Sequence, residues 1–171
     1  MKIKNQGQSL IEMLLAFFIM SLVVVAIVGL STASVRNTSQ ARNNTLARRY
    51  AEEAMEWLRN QRDINWNTFQ RKAKNSNANI TYCFMELSES GIKQWTDNVN
   101  NHFCDTADPL ESVNKSTIFY REVTLIRGED LAATLEDESK NIILVTIRVF
   151  WSDPKGEHEV ELSSELNNWN K

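Results

Sequence analysis

GQSLIEMLLAFFIMSLVVVAIVGL, residues 7–30, decides the fold of this 171-residue chain. From Met13 to Leu30 the stretch is apolar for 18 residues, with Ser21 as the one polar interruption. As an α-helix that run spans about 27 Å, close to the roughly 30 Å hydrocarbon core of a bilayer. It is longer than the roughly 7–15 apolar residues of a secretory signal peptide. Glu12 stands at its threshold, five residues after Gly7 and behind a short basic leader with Lys2 and Lys4. An ionisable side chain in hydrocarbon costs several kcal/mol unless it finds a partner, which makes it a functional residue by default.

Toward the C-terminus nothing forbids continuation of that helix. The first proline is Pro109, so one helix from Ser9 to Arg62 is predicted. After the apolar half the periodicity changes. Ala47, Tyr50, Ala51, Ala54, Trp57 and Leu58 repeat at three- and four-residue spacing and form one apolar stripe. Arg48, Arg49, Glu52, Glu53, Glu56, Arg59 and Arg62 fall largely on the other side, with Arg48/Glu52 and Arg49/Glu53 at i,i+4 spacing. Such a helix packs its stripe on a sheet and turns its charged face to water or neighbouring subunits. Gly29 is a local weak point costing up to about 1 kcal/mol relative to Ala. It is either a packing glycine or a place where the helix loosens under tension.

Beyond Arg62 the pattern turns to strands. Residues 80–85 and 118–127 are strand candidates, the second closed by Gly128. The strongest runs from Ile142 to Trp151, where Ile143, Val145, Ile147, Val149 and Trp151 alternate with Thr146 and Arg148. Asp153-Pro154-Lys155-Gly156 comes next as a turn, with Pro fixing a corner and Gly free to take positive φ. Residues 157–166 then return with Val160 and Leu162 facing in, which makes a β-hairpin. The expected class is α+β: a long N-terminal α-helix packed on a small antiparallel β-sheet of three or four strands.

Composition narrows the functions. The net charge is −3, from 19 Lys+Arg against 22 Asp+Glu; without Lys2 and Lys4 it is −5, from 17 against 22. A mildly acidic chain argues against broad nucleic-acid affinity. A small basic patch, Arg71, Lys72 and Lys74 beside Trp66 and Phe69, reads as a solvated surface turn rather than a DNA contact. Cys83 and Cys104 are the only cysteines. Paired, they close a loop worth about 3 kcal/mol in the chain-entropy model; the other reading is two unpaired thiols. Phe84 to Phe103 between them is polar and poor in strand pattern. A metal site through His102 and Cys104 lacks a second ligand pair of zinc spacing. His102 and His158 have no HExxH or triad-like context, and no Gly-rich phosphate loop occurs. Glu52, Glu53 and Glu56 read as a solvated helix face rather than paired catalytic carboxylates. The acidic cluster Glu129, Asp130, Glu136, Asp137 and Glu138 lacks EF-hand spacing for calcium. The expectation is a non-enzyme with no cofactor and no metal.

Residues 7–30 resemble the amino-terminal signature of type IV pilins and type II secretion pseudopilins. In that family a short basic leader ends in Gly, and a prepilin peptidase cuts after it and methylates the new terminal amine; a Glu stands at mature position five. The resemblance implies cleavage between Gly7 and Gln8, methylation at Gln8, and a subunit-assembly role for Glu12. Residue 8 departs from the family, which usually has Phe there. The implied division is leader 1–7, apolar transmembrane or filament-core helix 8–34, amphipathic helix half 35–63 and α+β head 64–171. The C-terminal pattern Ile147-Arg148-Val149-Phe150-Trp151, a turn and a Val/Leu strand resembles PilV-type minor pilins.

The family likeness further implies its partners: other pilins or pseudopilins through the N-terminal helix, the prepilin peptidase, an inner-membrane assembly platform, and the lipid bilayer before assembly. The chain would be a single-pass protein of the cytoplasmic membrane with its head outside the cytoplasm, then part of a pilus or pseudopilus. Charge does not set this orientation, because Lys2, Lys4 and the initial amine are balanced by Arg36, Arg42, Arg48 and Arg49. Both cysteines would then lie where disulfides persist. A positive amine at Gln8 of a neighbouring subunit would keep Glu12 paired. The rival reading is a secreted or membrane-anchored globular binding domain, with Ser31-Thr32-Ala33-Ser34 imitating a signal-peptidase site; it leaves Glu12 unexplained.

Overall fold

A computed structural model describes residues 6–73, 80–88, 90, 92, 95, 102–115, 117–127, 142–154 and 156–168. Lys2, Lys4, Lys74, Gly128, Lys155 and the acidic cluster Glu129, Asp130, Glu136, Asp137 and Glu138 lie outside the described residues. The elements are α1 (Gln6–Ile64), α2 (Trp66–Lys72), β1 (Ile80–Cys83), two 3-10 turns (Pro109–Glu111 and Val113–Lys115), β2 (Tyr120–Arg127), β3 (Ile142–Asp153) and β4 (Gly156–Asn167). The chain forms two compact units, residues 1–43 and residues 44–171.

In the first unit every large apolar side chain from Leu10 to Val35 is exposed, none below half of its full surface. The helix is long and apolar enough to cross a membrane, with mean hydropathy 2.9 over its best 18-residue window. Several of its hydroxyls bond back to the helix itself. Ser21 Oγ donates to the Phe18 carbonyl at 2.7 Å, and Thr32 Oγ1 donates to that of Val28 at 2.9 Å. Back-bonding of this kind lets a hydroxyl enter an apolar phase without an orphaned donor. The helix is continuous through Gly29, where an added Cβ would meet nothing of its own chain within 4 Å.

The second unit is a four-stranded antiparallel sheet in the order β1-β2-β3-β4, laid on the C-terminal part of α1. The predicted stripe is the contact face: Ala47, Ala51, Ala54 and Leu58 are buried, with Met55 beside them, and Tyr50 and Trp57 pack at its margin. Small alanines let the helix lie close to the sheet. From the sheet, Val123, Leu125, Val145, Ile147 and Val149 meet that face, all fully buried. β3 alternates as its sequence dictates, and Gly156 closes the β3–β4 hairpin at φ 137°, a conformation disfavoured for any residue with a Cβ. β2 starts at Tyr120 rather than Ile118, and β1 ends at Cys83 rather than Met85.

Two features differ from the sequence expectation. α2 is a helix where only strands were expected after Arg62. Asn65 leaves helical geometry (φ −159°) and its side chain accepts from the Thr68 N–H at 3.0 Å, which ends α1 and caps α2. The solvated-surface reading of Arg71 and Lys72 holds for Arg71, which is exposed, and fails for Lys72. Lys72 is buried, its Nζ donates to the Trp95 carbonyl, and the ammonium lies 5.5 Å from the Trp95 ring centroid.

Arg121 is the deepest charge in the core. Its place on β2 alternates with Val123 and Leu125, so the strand's pleat sends it inward. Nη1 donates to the Tyr50 carbonyl at 2.9 Å and contacts Glu53 Oε2 at 3.1 Å, while Nε donates to the Phe84 carbonyl at 3.3 Å. One guanidinium thus ties α1, β2 and the end of β1 together. Burial pushes its pKa down and Glu53 opposes the shift. Glu53 therefore points to Arg121 instead of closing an i,i+4 pair with Arg49. Arg121→Ala is expected to destabilise the chain by about 3 kcal/mol, since it removes buried packing and strips two carbonyls of a donor. Glu53→Gln should cost less than about 1 kcal/mol, because that carboxylate is half exposed and the carbonyls still hold the guanidinium. Chemical denaturation of the two variants checks the order.

Candidate assembly site and the disulfide-bound head

Gly7 and Gln8 lie in the first turns of α1. Glu12 lies on the same helix, exposed among Leu10, Ile11, Met13 and Leu14. Between residue 6 and residue 35 it is the only charged side chain. The next along the helix is Arg36, 24 residues and about 36 Å away. Among the described residues no cation lies within ion-pairing distance of Glu12. Residues 10–39 are exposed along their whole length. A carboxylate and an exposed apolar cylinder thus share one element.

The head contains a second constellation, around a disulfide. Cys83 and Cys104 are bonded, 21 residues apart in sequence and 4.9 Å apart between Cα atoms. The paired reading of the cysteines is therefore correct. The reading of the intervening segment needs revision. Ile92 and Trp95 from it are buried, and Trp95 centres an aromatic cluster with Tyr82 at 5.0 Å, Trp57 at 5.3 Å and Phe84 at 5.8 Å between ring centroids. Ile92 and Trp95, three apart in a mainly polar stretch, were the available signal. Tyr82, pushed far up in pKa by burial, donates its hydroxyl to the Lys72 carbonyl at 2.7 Å.

Two buried carboxylates order the chain around Cys104, Glu122 from β2 and Glu111 from the first 3-10 turn. Glu122 Oε1 accepts from the Cys104 N–H at 2.9 Å, and its other oxygen lies 3.5 Å from Arg148. Glu111 Oε2 accepts from the Asp105 N–H at 2.6 Å, and Oε1 lies 3.3 Å from His102 Nε2. His102 thus has a carboxylate neighbour, and its own backbone N–H donates to the Thr81 carbonyl at 2.9 Å, so the segment also runs along β1. Tyr120 and Phe150 stack outside the disulfide, ring centroids 5.7 Å apart. Arg148 sits over Phe150 and binds Glu159 at 2.9 Å. The groups named in this constellation are used in holding their neighbours, and among the described residues no nucleophile is bonded to a base. Among the described residues no group of three metal-ligating side chains converges.

Residues 2–32 match the prokaryotic N-terminal methylation motif. Comparison with curated proteins and with solved structures gives no match. The amino terminus is accordingly of the type IV pilin and pseudopilin kind, and the fold, a long apolar helix packed on a four-stranded antiparallel sheet, is the pilin-like α+β arrangement. The motif and the fold define a prepilin-type, pilin-like subunit. The match ends at residue 32 and includes none of the head.

Loss of the disulfide by Cys83→Ser with Cys104→Ser is expected to cost about 3 kcal/mol, measured by thermal or denaturant unfolding of the purified chain. Glu122 contributes a pH response to the head. Burial pushes its pKa up, opposed by the Cys104 N–H, Arg148 and His102. The folded chain therefore holds the Glu122 proton more tightly than the unfolded chain does. Stability contributed at this site falls as pH rises from the ordinary carboxylate value through the raised one. Glu122→Gln keeps an acceptor for the Cys104 N–H and removes the titration. Melting temperatures across mildly acidic pH should fall more steeply for the native chain than for this variant.

Proposed function

We propose that this chain is a minor subunit of an extracytoplasmic pilus or pseudopilus, made as a membrane-anchored precursor and assembled through its apolar helix. The observation that carries the reading is the combination of the methylation motif with a helix whose apolar surface is wholly uncovered from Leu10 to Val35. The precursor waits in the bilayer with its head outside the cytoplasm, prepilin peptidase cuts after Gly7, and the amine of Gln8 is methylated. Helices of neighbouring subunits then replace lipid around residues 10–39, and the amine at Gln8 of one subunit meets Glu12 of another. Opposite charges in a low-dielectric phase attract strongly although desolvation opposes the gain, so the pair acts mainly to set register. The protein is structural and carries no catalytic role. A minor role, in priming assembly or at a special filament position, is supported by the PilV-like C-terminal hairpin, Ile147 to Trp151 with its turn and the Val160/Leu162 strand. The partners are other pilins, the peptidase and an inner-membrane assembly platform.

N-terminal sequencing of the mature protein tests the processing step. The expected first residue is Gln8, with a methyl group on its amine. A start near Ser34, or an uncut chain, would overturn the reading in favour of an ordinary signal or anchor. The assembly step is tested separately: Glu12→Leu should leave membrane insertion and cleavage intact while recovery of the subunit in sheared filaments drops about tenfold or more, as for loss of an ion pair in a low-dielectric site.

A further inference from the structure

The two edges of the sheet are treated differently. β1 is buried along its whole length, and the Thr81 carbonyl is taken by the His102 N–H. β4, at the opposite edge, pairs with β3 through all twelve of its residues, and among the described residues no strand lies on its other side. Natural edge strands are usually short, bulged, or interrupted by Pro or Lys. β4 is long, its register with β3 runs unbroken from Asp153↔Gly156 to Ile142↔Asn167, and it contains neither Pro nor Lys. A regular edge with no strand beyond it among the described residues offers backbone donors and acceptors to a further strand.

The space that strand needs is present. The inward row of β3 is fully covered, whereas its partners Val160, Leu162 and Ser164 on β4 are only half buried. Beside them runs a groove of about 460 Å³ between β4 and α1, with Val160, Leu162 and Ala51 among its walls and Arg48 and Glu52 from the helix. Ala51 contributes only a methyl group on the helix side. Another strand at ordinary spacing, about 4.8 Å further out, would place its inward side chains in this groove.

Charge selects the occupant. Glu157, Glu159, Glu161 and Glu165 all project from the outer face of β4, and residues 156–168 contain no Lys or Arg. Arg148 is engaged with Glu159 and Glu122. Like-charge repulsion discourages a second copy of β4 from pairing here, and cations at alternate positions of an incoming strand would be attracted. We propose that β4 and the adjoining groove form a strand-addition site for an extended basic segment of another protein. Its Lys or Arg residues would alternate over the glutamate row, and small apolar residues between them would enter the groove. The site is independent of the filament reading, because it involves only β4 and the stretch of α1 packed on the sheet.

The test uses the full chain in detergent micelles and a synthetic peptide alternating lysine with valine or alanine. Binding is monitored by fluorescence anisotropy, and its location by hydrogen exchange. The expected result is saturable binding that slows exchange of β4 amides, and affinity roughly fivefold lower for Glu161→Gln with Glu165→Gln, from the loss of two exposed ion pairs. Those carboxylates are exposed, so the variant's melting temperature should match that of the native chain. The same peptide N-methylated at every peptide nitrogen keeps its charge and cannot extend the ladder; it should not bind. Equal binding of the N-methylated peptide, binding without protection of β4, or no binding by the lysine peptide would each overturn the proposal.

Discussion

A helix that is apolar around its whole circumference cannot be satisfied by a single small domain lying along one side of it. α1 has such a circumference from Leu10 to Val35 and a one-sided stripe from Ala47 to Leu58. The same unbroken element therefore presents two kinds of surface, a stripe covered by the head and an apolar cylinder left exposed. The head needs only the stripe for its core. Glu12 makes the contrast sharper, because the exposed stretch from Leu10 to Val35 contains one charge and the next lies about 36 Å along the helix.

Within the head the principal problem is different: a sheet must be held on a helix built largely of alanine at the contact. Alanine gives close approach but little area, so orientation depends on other groups. Arg121 supplies direction, reaching from β2 to the Tyr50 carbonyl and Glu53 on the helix and to Phe84 beyond β1. The Trp57, Tyr82, Phe84 and Trp95 cluster supplies bulk. The disulfide Cys83–Cys104 closes the segment that delivers Trp95, Glu122 ties Cys104 to β2, and Glu111 fastens Asp105 and His102 within the loop. Buried polar groups act here as fasteners with specific partners, which is the condition under which burying them is tolerable.

Much of this was legible in the chain. The helix, its change of periodicity near Ala47, the β3–β4 hairpin and the positive φ of Gly156 all obey local rules, since spacing and turn chemistry act over a few residues. The less legible parts depended on distant partners. α2 was hidden because seven residues carry too little periodicity to outweigh the strand-like surroundings, although Asn65 was an available cap. Lys72 looked like surface because its carbonyl acceptor and aromatic neighbour lie 23 residues away at Trp95. The inward orientation of Arg121 was readable from the pleat, but its acceptors on Tyr50 and Phe84 were not.

By itself the sequence determined that one helix would carry both an apolar cylinder and a packing stripe, that Glu12 would stand without a charged neighbour on it, and that the class would be α+β. Those are properties of composition and period along one continuous element. Only the tertiary structure decided that the two cysteines pair, which buried charges hold the head, that one sheet edge is covered, and that among the described residues no strand lies beyond β4 at its groove. These depend on which side chains meet across tens of residues, and local spacing places no constraint on such meetings until the chain has folded.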